Sequence, residues 1–102
     1  MKVLTEGHKY EVPGFEDPKN TQIIQFIEKV PSETSDELIT VNDGTTNEEL
    51  LTVLIDRLGY LQAKFPCVEN ANSIDCINEG LYWLHKRTED RENRKVEGKH
   101  VK

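Results

Sequence analysis

With 102 residues, 35% hydrophobic and 31% charged, the chain can build one modest core but not two independent ones, and its composition is that of a folded protein. A net charge of −6 argues against a nucleic-acid polymer as partner, because such partners select a basic domain. No apolar run approaches the roughly 18 residues that span a bilayer, and "MKVLTEGHKYEV" lacks the apolar core of a signal peptide. No membrane partner and a cytoplasmic location are expected.

The first 44 residues read as short strands. "HKYEV" (His8 to Val12), "IIQFIEKV" (Ile23 to Val30) and "ELITV" (Glu37 to Val41) favour extended chain through alternation or β-branched content. "PGFEDPKN" and "PSETSD" between them carry turn residues, so a three-stranded antiparallel meander is the simplest connection. After the turn Asn42-Asp43-Gly44, Thr46 and Glu49 have capping-box spacing and start a helix.

Leu51, Leu54, Leu58, Leu61 and Phe65 recur at helical period, and Pro66 ends the run. A second helix is expected from about Asn70 to Ser73, with Ile74, Ile77, Leu81, Leu84 and Thr88 as its seam. Two matched seams joined by a short loop pack as an antiparallel hairpin. The expected fold class is therefore α+β: a small N-terminal antiparallel sheet followed by a C-terminal antiparallel helical hairpin. The chain reads as one domain, 1–102, with a strand-rich part at 1–44, the hairpin at 45–94 and a tail at 95–102. Gly80, inside the second helix, is either tolerated there or marks a close approach by a strand, a subunit or a ligand. Tyr60, Tyr82 and Trp83 lie off the seams and leave a second apolar surface, which self-association would cover.

Charge is unevenly placed. Residues 1–84 hold 6 Lys/Arg against 15 Asp/Glu, whereas residues 85–102 hold 7 against 4. Within that basic end Arg87, Arg91 and Arg94 stand at i, i+4 and i+7, one stripe if the helix persists. Guanidinium groups bind phosphate bidentately, so the stripe suits a small phosphorylated anion; a solvated helix end with interleaved Glu89, Asp90 and Glu92 is the plainer reading. Arg57 either pairs on the surface with Asp56 or Glu48 or points into a groove between subunits. Tyr60 either packs half-buried or stacks on a base, and Asn70 either caps the second helix or offers its amide to a base edge.

Cys67 and Cys76 have neither metal-ligand spacing nor a basic neighbourhood, and the three histidines are isolated. No P-loop, GxGxxG, GxSxG or HExxH occurs. The inventory favours binding over catalysis, with no cofactor and no metal expected.

The ordered set "NEELLTVLIDRL", "KFPCVEN", "LYWLHKRTEDR" and "VEGKH", within Thr45 to His100, resembles the helical hairpin domain of phage anti-Thoeris signal sponges, a domain they share with anti-CBASS nucleotide sponges. "FIEKVP" and "DELITVNDGTTNEE" resemble the anti-Thoeris branch in particular, which carries a small sheet before the hairpin. The resemblance implies a non-catalytic phage immune-evasion protein in the cytoplasm of an infected bacterium. Such a protein binds glycocyclic ADP-ribose, the cyclic ADP-ribose-type signal of a TIR-domain defence enzyme, and keeps it from its effector. Relatives also take cyclic di- or trinucleotides, and they form dimers or hexamers with pockets between subunits.

Carried over by position, the resemblance gives Tyr60 the aromatic face for the base, Asn70 an amide hydrogen bond, Arg87 a phosphate contact and Arg91 a second cation. Arg57, Arg94, Gly98 and His100 go to a separate site for larger cyclic nucleotides. Two departures stand out: relatives often have phenylalanine where this chain has Tyr60, and "RKVEG" puts Lys95 where glycine is commoner, which bears on the local turn. The alternative function is a dimerisation or docking module without a nucleotide ligand.

Overall fold

The computed structural model describes residues 1–100, so Val101 and Lys102, the end of the expected 95–102 tail, lie outside the described residues. The element order is β1 (Lys2–Thr5), β2 (Lys9–Val12), β3 (Gln22–Gln25), β4 (Glu28–Pro31), β5 (Leu38–Asn42), α1 (Asn47–Lys64) and α2 (Val68–Asn93). Antiparallel strands precede a helical hairpin, as expected. The described residues divide into two compact units, Met1–Thr46 together with Lys99 and His100, and Asn47–Gly98.

The strand unit departs from a three-stranded meander. It holds a three-stranded antiparallel sheet ordered β1-β2-β3 and a separate antiparallel pair, β4-β5. Lys2–Thr5 is a strand that "KVLT" does not announce, because four residues with two adjacent apolar side chains show no alternation. Its turn into β2 closes with the His8 N–H donating to Thr5 O at 3.0 Å, and Gly7 supplies the positive φ of 75° that the turn requires.

The expected strand Ile23 to Val30 breaks at Phe26 and Ile27. There the Gln25 side chain donates to Phe26 O at 2.7 Å, and the backbone turns to pair with Thr45: Ile27 N–H to Thr45 O at 2.9 Å, Thr45 N–H to Gln25 O at 2.8 Å. Gly44 permits this approach, since a Cβ there would collide with Gln25 O and the Phe26 carbonyl carbon. The continuous β-branched run thus conceals a crossing point.

In the helical unit, the half-buried positions of α1 are Glu48, Leu51, Ile55, Leu58 and Gln62, with Leu50 and Leu61 beside them. Ile55 replaces the expected Leu54, which is 43% exposed, and Phe65 is 78% exposed because the helix has already ended at Lys64. On α2 the expected seam holds: Ile74, Ile77, Leu81, Leu84 and Thr88 are all half-buried. The same 3,4 spacing then continues to Arg91, the one buried side chain among the described residues, at 7% exposure. No hydrophobic side chain among the described residues is buried.

The turn between the helices is closed by Gln62. Its amide accepts from the Cys67 N–H at 3.0 Å and donates to Cys67 O at 3.1 Å, a two-point pairing that stands in for a backbone partner. Cys67 is the N-cap, its Sγ accepting from the Asn70 N–H at 3.4 Å, so α2 starts at Val68, ahead of the expected Asn70 to Ser73. Apart from its chain neighbours and its own helix backbone, no described residue lies within 4 Å of a Cβ built on Gly80, so no described element of this chain makes the close approach considered for it.

Helix α2 ends in a Schellman turn: Val96 N–H donates to Arg91 O at 2.9 Å and Lys95 N–H to Glu92 O at 3.0 Å, with Lys95 at φ 60° where glycine is favoured. The turn forms despite the lysine, at a cost of about 1 kcal/mol for a side chain in the left-handed region. Lys95→Gly is therefore expected to raise the urea midpoint, by a stabilisation of about 0.5 kcal/mol after the added freedom of the unfolded chain is subtracted. A lowered midpoint would show that the lysine side chain contributes contacts this turn does not explain. Beyond the turn, Lys99 bridges Glu37 and the His100 N–H donates to Asp36 O at 2.7 Å, placing these two residues against the β4–β5 connection.

Candidate functional site

Of the residues singled out for ligand binding, Tyr60, Asn70, Arg87, Arg91, Arg57, Arg94 and Gly98 lie in the helical unit, and His100 lies with the strand unit. Tyr60 and Asn70 stand near the inter-helix turn, Tyr60 on α1 four residues before its end and Asn70 at the third position of α2. Arg87 stands far along α2. In an antiparallel hairpin closed by a short turn, a rise of 1.5 Å per residue puts Tyr60 and Arg87 roughly 20 Å or more apart along the axis.

The faces differ as well. At about 100° per residue, Tyr60 points away from the half-buried seam of α1, and is 53% exposed, while Arg87 flanks the seam of α2. Asn70 lies on the seam side and is half-buried; its backbone N–H is the group that Cys67 caps, so Asn70 is not itself the cap. One hairpin brings Tyr60 and Asn70 to the same end and leaves Arg87 at the other.

The three arginines of the α2 stripe are chemically unlike. The helix does persist through Asn93, but Arg91 turns inward, its Nη2 donating to Val96 O at 2.9 Å and its Nε 3.4 Å from Glu97 Oε2. Arg94 pairs with Asp90 at 3.1 Å, both exposed. Arg87 makes no hydrogen bond or ion pair with any described residue and is exposed, and Arg57 on α1 has the same status, so neither of the surface pairings considered for Arg57 forms.

The cation beside the Tyr60 ring is a lysine. Lys64, one turn on, holds its Nζ 4.8 Å from the ring centroid. At such an exposed position the contact contributes about 0.5–1 kcal/mol, and the lysine also suits the negative end of the helix dipole. Its signal in the sequence was the i, i+4 spacing to Tyr60.

A pocket of about 230 Å³ in the strand unit is lined by Met1, Lys2, Glu11, Pro13, Pro18 and Thr21, none of them an expected site residue. Among the described residues no group of three His, Cys, Asp or Glu side chains could hold a metal ion, and no helix is long and apolar enough to cross a membrane.

A family model described as Acb2/Tad1, hairpin domain, matches residues 20–89. The chain belongs to the Acb2/Tad1 hairpin-domain family. The match takes in both helices through Glu89 and the strands from β3 onward, and stops short of Arg91, Arg94 and the Schellman turn. A curated relative, Thoeris anti-defense 1 of Bacillus phage SBSphiJ7, is 49% identical over 61 residues, which is 59% of this chain and 43% of that protein. The matched stretch thus spans less than half of the relative's length.

Proposed function

We propose that this chain is a phage anti-defence protein that sequesters glycocyclic ADP-ribose, without degrading it, in the cytoplasm of the infected host. Membership of the hairpin family and the likeness to a Thoeris anti-defence protein support the defence context. The observation that carries the ligand reading is the division of groups along the hairpin: an exposed tyrosine at one end and, at the other, an exposed arginine without a partner among the described residues.

Because one chain holds these groups roughly 20 Å apart, the ligand lies between subunits of a homodimer or a higher homo-oligomer. There Tyr60 and Asn70 of one subunit meet Arg87 of another. Tyr60 stacks on the adenine, a contact worth about 1–3 kcal/mol, Asn70 reads a base edge, and Arg87 takes the diphosphate. Arg57, without a partner among the described residues, is a further cation fitted to cyclic di- or trinucleotides at a second position. Arg91 reaches phosphate by giving up Glu97, while Arg94, paired through Nε with Asp90, keeps its exposed Nη groups for one. The exposed Val53, Leu54, Phe65, Tyr82 and Trp83 of the helical unit supply the apolar surface for assembly. A sponge acts by mass action, so a submicromolar signal demands a Kd below about 1 μM, or more than about 8 kcal/mol.

Mixing two inactive variants tests the shared pocket. Tyr60→Ala and Arg87→Ala proteins, each deficient alone, are expected to regain binding when unfolded and refolded together, because a mixed dimer contains one intact Tyr60–Arg87 pair. Calorimetry should then find about a quarter of the wild-type sites. No recovery, with mixed dimers demonstrated by mass, would place both residues in one subunit's site or in none. The same exposed apolar surface also fits a docking module without a nucleotide, which predicts no heat of binding for either the wild type or the mixture.

A further inference from the structure

Arg57, Tyr60 and Lys64 stand at i, i+3 and i+7 on the outward side of α1, so cation, aromatic ring and cation form one exposed stripe. Lys64 forms no ion pair with a described residue, and its ammonium rests over the Tyr60 ring at 4.8 Å. We propose that Lys64 is a ligand-binding residue of the Tyr60 platform, covering the ring when the site is empty and transferring its ammonium to a phosphate when an aromatic base takes the ring face. The proposal rests on the nucleotide reading above and adds the phosphate-selecting group at the tyrosine end of the site.

The argument is competition for one place. A base stacked on the ring lies about 3.5 Å from its plane, the space the ammonium now occupies, so stacking on that face displaces Lys64. The displaced ammonium sits on a flexible four-carbon arm anchored one turn from the ring, within reach of a phosphate attached to the stacked nucleoside. A charge-assisted contact to phosphate exceeds an exposed contact to a ring, so displacement is favoured for a phosphorylated ligand. A bare nucleoside offers no such exchange, and Lys64 opposes its entry. Lys64 thereby sets preference for phosphate-bearing ligands over their nucleosides.

Calorimetric titrations of glycocyclic ADP-ribose and of adenosine into the full chain would test this, with Lys64→Met, Lys64→Arg and Tyr60→Ala as variants and circular dichroism as the control for folding. Lys64→Met is expected to weaken glycocyclic ADP-ribose about tenfold and leave adenosine unchanged or tighter, with Lys64→Arg within about threefold of wild type. The Lys64 ε-methylene proton resonance, shifted by the ring in the free protein, is expected to move towards its ordinary position as ligand saturates.

Unchanged affinity in Lys64→Met, together with an unmoved ε-methylene signal, would overturn the proposal. If Tyr60→Ala still lost binding in that case, the nucleotide reading would stand without Lys64. Wild-type affinity in both Tyr60→Ala and Lys64→Met, or no binding by the wild type, would overturn the nucleotide reading and this proposal together.

Discussion

Alanine at Tyr60 or at Arg87 is expected to lower the affinity for glycocyclic ADP-ribose by about tenfold to a hundredfold each, while leaving the melting temperature near that of the wild type. Removing the ring deletes a base-stacking surface, and removing the guanidinium deletes a charge-assisted contact worth about 1.5–3 kcal/mol. Neither loss reaches the fold, because Tyr60 is 53% exposed and Arg87 is exposed and unpaired among the described residues. Calorimetry at two ionic strengths separates the two: the Arg87 contribution shrinks as salt rises, and the stacking contribution does not. A doubly substituted protein that binds as the wild type does would remove these residues from the site.

Arg91→Ala is expected to show the opposite pattern, a fall in stability of about 2–3 kcal/mol. The guanidinium is 7% exposed, donates to Val96 O and faces Glu97, so its loss leaves the Val96 carbonyl without that donor and empties part of the seam. For a domain of this size such a loss lowers Tm by about 10 °C or more. Arg91→Met, which keeps the stem packed and drops the charge, is expected to recover part of it. If Arg91→Ala melted like the wild type yet failed to bind, the guanidinium would be a ligand group and its contacts to Val96 and Glu97 incidental.

The contrast between Arg87 and Arg91 shows where the sequence ceased to be legible. Spacing alone puts Arg87, Arg91 and Arg94 on one stripe, and the helix runs through Arg87 and Arg91 to Asn93, with Arg94 as its C-cap. The α2 seam, read as Ile74, Ile77, Leu81, Leu84 and Thr88, lands on Arg91 at its next step. That position was therefore a core position occupied by a cation, and the apolar pattern could not announce it because the residue is not apolar. Val96 and Glu97, which accommodate it, follow a turn whose geometry depends on a lysine at positive φ.

Periodicity also decides which other elements are legible in the sequence. Long amphipathic helices announce themselves over many repeats, and the hairpin was plain. Leu54 fitted the apolar period as well as Ile55 did, and only the packing of α2 selects Ile55. The β3/β4 break was hidden because Phe26 and Ile27 have strong strand preference, while the cause of the break, Gly44 meeting Gln25 and Phe26, lies 18 residues downstream. Tyr60 and Asn70 stand out as candidates by residue type and resemblance; that they share an end of the hairpin and that Arg87 does not depends on the register fixed by the turn at Cys67.

The most direct test of sequestration is a recovery experiment. Purified protein is mixed with glycocyclic ADP-ribose below saturation, the protein is retained on a filter, and the filtrate and the heat-denatured retentate are both assayed for ligand. Depletion of the filtrate and return of unchanged ligand on heating is the expected result. Depletion with an altered product would make the protein an enzyme, and an undepleted filtrate would remove this nucleotide as its ligand.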